Sequence, residues 1–177
     1  EDACMDHAAE GIDAAVFLAA LEALAFVEND RDLLLDTALA RIPETSELRQ
    51  AIEDTRGLWA RHGDWQSVRE SLLATYRTDN FTDVVLNLCF IVLGMLAGKD
   101  FGDAICTAVN CGEDTDCTGA TLGAVLGILD PAGIGEQWLA PIGRDLVLSP
   151  TVRPIEHPDT LEGFTELVLD LRRRLGG

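Results

Sequence analysis

Asn110-Cys111-Gly112-Glu113-Asp114-Thr115-Asp116-Cys117-Thr118-Gly119-Ala120-Thr121, followed at once by Leu122-Gly123-Ala124-Val125-Leu126-Gly127-Ile128-Leu129, is the stretch that decides how this chain is read. Two carboxylates lie two residues apart with a hydroxyl between them, directly before an apolar run. Ionised carboxylates held against a core cost free energy unless donors or a cation satisfy them. Oxygen donors of this kind suit hard divalent cations such as Mg2+. The run itself reads as a helix from about Asp116 to Leu129. Its glycines, Gly119, Gly123 and Gly127, recur every four residues and lay a smooth stripe along one face. The spacing predicts close approach of a neighbouring helix, at about 1 kcal/mol of lost helix propensity per glycine.

Outward from this stretch, helical periodicity continues in both directions and no segment sustains strict alternation, so the fold class is all-α. Gly11 to Val27 is Ala/Leu-rich and apolar on most faces, which predicts a helix central to a bundle. Asp30 is placed to cap a helix ending at Pro43, and Thr45 or Ser46 to cap one from Glu47 that stops at His62-Gly63. Asp64 opens a helix over Trp65 to Tyr76, and Arg77-Thr78-Asp79-Asn80 links it to the apolar helix Thr82 to Ala97. Asp100 then caps Phe101 to Val109. Beyond Asp130-Pro131, a short turn over Gly133 to Leu139 leads into loop or extended structure from Leu146 to Pro158. Asp159-x-x-Glu162 reads as a capping box for a last helix, Leu161 to Leu175. Trp59, Trp65 and Trp138 read as packing residues.

The chain has 177 residues, 47% apolar and 25% charged, which suits one globular domain. With 31 acidic against 13 basic residues, the formal charge is −18. That balance argues against nucleic acid as a partner, since phosphate binding needs clustered Lys and Arg. The one basic cluster, Arg172-Arg173-Arg174, falls where it complements a helix dipole. Five cysteines without a C-x-x-C pair argue against a disulfide framework or a zinc ribbon. Cys89 and Cys106 read as core thiols. No apolar run reaches the ~18 residues of a membrane span, and a cytoplasmic setting is the default expectation.

Three readings compete for the Asp-Thr-Asp element. As a calcium loop it begins well, but position twelve would need a bidentate acid and holds Val125. As the nucleophile of an Asp-dependent phosphatase it would follow a buried strand, whereas Ile105 to Val109 reads as helix. The third rests on likeness. Gly112-Glu113-Asp114-Thr115-Asp116-Cys117 running into Gly119-Ala120-Thr121 resembles the ADP-ribosylglycohydrolase family, which carries a Gly-x-Asp-Thr-Asp element late in an all-helical domain. His7 with Gly11 and its Ala-rich helix, Ile42-Pro43, Asp64-Trp65, Asn87, Asp100-Phe101 and Ala104-Ile105 follow the family in order, from Met5 to Leu139.

The resemblance implies a metal-dependent hydrolase that removes ADP-ribose from a modified protein or an ADP-ribose-containing small molecule. It implies a pair of Mg2+ ions, with Mn2+ as a substitute. By that likeness Asp114 and Asp116 are metal ligands and catalytic residues, while His7 and Asn87 line the substrate pocket. The family often has a hydroxyl where this chain has Cys117, a poor Mg2+ ligand; Thr115 and Thr118 offer nearby hydroxyls. The family's N-terminal part also carries a Gly-Asp-Ala and a Thr-Asp-Asp element that supply further ligands. These are taken to be missing, and the chain opens at Glu1 without an initiator Met. Residues 1–177 are therefore expected to be a C-terminal portion of the family domain, inactive alone. A face left uncovered in such a portion would favour self-association. A non-catalytic structural or ligand-binding member of the same family is the alternative.

Overall fold

The computed structural model describes residues 2–149, 151 and 156–176. All regular elements among them are helical apart from one isolated antiparallel bridge, Asp145 to Thr160, so the all-α expectation stands. The chain divides into two compact units, Glu1–Gly135 and Glu136–Gly177.

The first unit carries seven α-helices: α1 Glu10–Ala25, α2 Arg31–Leu39, α3 Glu47–His62, α4 Trp65–Tyr76, α5 Val84–Ala97, α6 Phe101–Asn110 and α7 Thr115–Leu129. Their starts follow the short polar side chains in the sequence. Asp30, Ser46, Asp64, Asp83 and Asp100 each accept a backbone N–H of the first turn, satisfying donors the helix cannot satisfy itself. Gly63 ends α3 in the left-handed conformation, at φ 61°.

The central helix is α5, not α1. Every residue from Val85 to Met95 is buried, and the helix packs against α1, α3, α4, α6 and α7. By contrast α1 buries only the stripe Ala14, Phe17, Leu21 and Ala25. The two segments differ in charge, since α1 carries Glu10, Asp13 and Glu22 and α5 carries no charged residue. Surrounded by five neighbours, α5 needs glycine at two points of contact. A Cβ on Gly94 would lie 2.7 Å from Leu122 and 2.9 Å from the Ala104 carbonyl, and one on Gly98 would lie 2.3 Å from the Ala104 Cβ. The expected stripe on α7 is looser. Gly119 would meet Val109 at 3.1 Å, but Gly123 and Gly127 have ordinary room, at 3.7 Å from Ile105 and 3.6 Å from Ile134.

Polar side chains tie the helices end to end. Arg31 donates to the carbonyls of Met95 and Gly98 at 2.7 and 3.1 Å, satisfying the C-terminal end of α5. Glu10 of α1 accepts from Ser46 Oγ and from the Leu48 N–H, fastening α1 to the start of α3. Trp59 and Trp65 pack on the cluster formed by α3, α4 and α5, as expected of core aromatics. Cys89 is buried, but Cys106 is exposed. The buried face of α6 is Ala104, Thr107 and Ala108, spaced three and four apart, and Cys106 lies off that face.

The second unit holds α8 Glu136–Ile142 and α9 Leu161–Arg174. The break at Asp130-Pro131 is a 3-10 turn, Pro131–Gly133, and the helix expected from Gly133 starts later, at Glu136. The expected extended stretch from Leu146 to Pro158 lies partly outside the described residues, at 150 and 152–155. The capping box at Asp159 does not form. Asp159 lies next to the bridge residue Thr160 and its carbonyl accepts the Leu146 N–H, and Thr160 caps α9 one residue later. Glu162 instead pairs with Arg144. No helix of the described residues is long and apolar enough to cross a membrane.

Candidate metal centre

The Asp-Thr-Asp element lies where the turn between α6 and α7 enters α7, and four residues make that turn. Cys111 caps α6 and is buried. Gly112 and Glu113 follow with φ of 88° and 58°, two successive left-handed residues that reverse the chain. Glycine takes such a value at no steric cost; glutamate does so at roughly 1–2 kcal/mol. Asp114 then stands at the N-cap of α7.

Three neighbours hold this turn. Arg69 of α4 donates through Nε to the Cys111 carbonyl at 2.7 Å. Arg77, just past α4, lies 3.1 Å from Glu113, whose side chain is only 10% exposed. Glu113 is therefore an ion-paired part of the turn. The third is Asn87 of α5. Its Nδ2 donates to the carbonyls of Phe81 and Asp83 at 2.9 and 2.8 Å, and its Oδ1 accepts the Asp114 N–H at 3.1 Å. Asn87 thus satisfies buried backbone groups and also approaches the motif. It reaches the site through the backbone of Asp114.

The carboxylates are thus presented in a fixed frame. Asp114 occupies an N-cap position, yet its side chain accepts no capping hydrogen bond, unlike Asp30, Asp64, Asp83 and Asp100. Ordinary capping does not account for it. Ligand atoms of Asp114, Asp116 and Cys117 all lie within 4.8 Å of one another, the two later residues exposed and Asp114 half-buried. Asp114 acts on Cys117 first through a hydrogen bond and then through its charge, and both raise the thiol above its ordinary value. A thiol kept protonated is a poor donor to Mg2+, while the two carboxylates fit such an ion well. The hydroxyls separate: Thr118 is fully buried and donates to the Thr115 carbonyl at 3.1 Å, which removes it from the donor set. Thr115, the first residue of α7, is half-buried.

His7 is exposed, and its Nδ1 pairs with Asp6 at 2.6 Å rather than with any residue of the turn. A Gly-Asp-Ala string does occur, at Gly102-Asp103-Ala104. It lies in the first turn of α6, at the opposite end of that helix from the motif, about 15 Å along its axis. Asp103 accepts the Lys99 N–H at 3.1 Å while Asp100 accepts the Asp103 N–H at 2.8 Å, a reciprocal cap. The string is spent on starting a helix. Arg69 and Arg77 carried no signal in the sequence, since they meet the turn from 42 and 36 residues away.

The family model for ADP-ribosylglycohydrolases matches residues 1–174. The chain belongs to the ADP-ribosylglycohydrolase family. No curated protein and no solved structure gave a match.

Proposed function

We propose that this protein is a metal-dependent hydrolase of an ADP-ribose glycosidic bond, with Asp114 and Asp116 holding Mg2+ or Mn2+. The observation that carries the reading is Asp114: a carboxylate at an N-cap position that accepts no backbone N–H of the helix, close to Asp116 and following a turn pinned from three sides. A bound divalent ion would polarise ribose hydroxyls and a water at this place. The residues of the chain have their own tasks. Asp116, exposed at the first turn of α7, orients the water as acceptor and supports positive charge developing at the anomeric carbon. Asn87 keeps the Asp114 backbone, and with it the carboxylate, in register. Arg77 neutralises Glu113, so that the turn presents two carboxylate charges to the ligand side rather than three. The substrate is an ADP-ribosylated protein or a small molecule containing ADP-ribose.

The described residues gather two carboxylates and one thiol, fewer oxygen donors than an octahedral Mg2+ takes. The reading therefore assigns residues 1–177 part of the site and expects no turnover from them alone. That shortfall also supports the second reading, a non-catalytic ligand-binding member of the family. The test is Mg2+-dependent release of ADP-ribose, measured beside Mn2+ binding followed by electron paramagnetic resonance. Asp116→Ala should weaken Mn2+ binding by about tenfold or more and abolish release by the complete protein. Equal binding in the variant removes Asp116 from the centre. Metal binding without release by the complete protein selects the non-catalytic reading. Release by residues 1–177 alone overturns the partial site.

A further inference from the structure

On the reading of Asp114 and Asp116 as metal ligands, we infer that Cys117 gives the candidate centre a preference for a borderline-soft divalent cation, Zn2+, which competes there with Mg2+ and Mn2+. Helix geometry brings the thiol to the carboxylates. Asp114 is the N-cap of α7 and Cys117 stands three residues on, so the two side chains share one face of the first turn. Cys117 already hydrogen-bonds Asp114. Ligand atoms of Asp114, Asp116 and Cys117 all lie within 4.8 Å of one another. Zn–S of about 2.3 Å and Zn–O of about 2.1 Å set tetrahedral neighbours about 3.6 Å apart, so the group closes on an ion through shifts of about 1 Å. Packing does not account for this thiol, which is free and exposed. Cys4 and Cys106 are exposed as well, but neither belongs to such a group among the described residues.

Donor chemistry selects the ion. Mg2+ takes oxygen ligands and gains little from sulfur, whereas Zn2+ accepts carboxylate oxygen and thiolate alike. Zn2+ already outranks Mn2+ at most donor sets of this kind, and a sulfur ligand widens the gap. Binding exchanges a proton for the metal: the Cys117 S–H bond breaks, the proton passes to water, and an Sγ–Zn bond forms. Two carboxylates and one thiolate fill three of the four positions that Zn2+ takes and leave one for water. Because Asp114 and Asp116 are shared between the competing ions, occupancy by Zn2+ excludes Mg2+ and Mn2+ from the same carboxylates.

Thiol alkylation of the whole chain, read cysteine by cysteine through peptide mass spectrometry, tests the sulfur. Zn2+ should suppress labelling of Cys117 and leave Cys4 and Cys106 as reactive as before, whereas Mg2+ at the same concentration should protect none of the three. Displacement of bound Mn2+ by Zn2+, followed by electron paramagnetic resonance, measures the preference. Cys117→Ser should bind Mn2+ at least as well, since a hydroxyl is a hard donor. It should need at least about tenfold more Zn2+ to displace that Mn2+, because losing even an outer-shell partner costs about 10–100-fold in metal affinity. Asp116→Ala should remove the protection of Cys117 by Zn2+. Full labelling of Cys117 under Zn2+, equal protection of Cys4 and Cys106, or unchanged displacement in Cys117→Ser overturns the role of the thiol, while Mn2+ binding to the unaltered chain leaves the carboxylate centre standing. Absence of Mn2+ binding from both chains overturns the centre and the role of Cys117 together.

Discussion

Asn87 spends three hydrogen bonds on three backbone groups, those of Phe81, Asp83 and Asp114, from a side chain that is 7% exposed. Truncating it leaves buried donors and acceptors without partners, at about 1–3 kcal/mol each. Asn87→Ala should therefore lower unfolding stability by at least about 2 kcal/mol in urea and weaken Mn2+ binding without touching a carboxylate. Unchanged metal affinity in a folded variant removes Asn87 from the centre's support. The thiols give a second test at this scale. Cys4, Cys106 and Cys117 are exposed, whereas Cys89 and Cys111 are buried and burial pushes each to about 12. A thiol reagent should label the three exposed cysteines in the native protein and reach the other two only in denaturant. Protection of Cys106 would restore it to the core, where its apolar sequence neighbours suggested it belonged.

At the scale of elements, two sets of glycines look alike in sequence and differ in consequence. Gly94 on α5 has neighbours at 2.7–2.9 Å from an added methyl, so Gly94→Ala should cost about 1–3 kcal/mol through overpacking. Gly123 and Gly127 on α7 have room at 3.6–3.7 Å, so alanine there should gain up to about 1 kcal/mol from helix propensity. Thermal unfolding of the three variants ranks them, and a stabilising Gly94→Ala would contradict the packing described for α5. Which glycines matter was not legible, because periodicity marks a face but not what stands opposite it. Helix starts were legible for the opposite reason: Asp30, Ser46, Asp64 and Asp100 act on N–H groups two or three residues away, wholly within the local sequence. Asp159 misled because its backbone was claimed by Leu146, thirteen residues upstream. The Asp114 and Asp116 pair was legible as a motif, whereas the arginines and the asparagine that hold it come from other helices.

For the whole molecule, the two buried thiols set an alkaline limit. Cys89 and Cys111 hold their protons more tightly when folded, at about 12, than at their ordinary value of 9.0. Their contribution to stability is complete below pH 9, and it is lost as the pH climbs from there through 12. Denaturation midpoints should fall steeply over that interval, and less steeply in Cys89→Ala with Cys111→Ala, although the double variant starts lower at neutral pH. Parallel slopes would mean that other groups govern the alkaline limit. One further property follows from the bond between Asn87 and the Asp114 amide. The acceptor belongs to the most deeply buried helix of the first unit, so the amide cannot meet solvent unless the turn parts from α5 or α5 itself opens. Hydrogen exchange at Asp114 should be slow for a residue at the head of a surface turn, approaching the rate set by opening of the core. The candidate centre would then lose its geometry together with the body of the unit rather than fraying ahead of it.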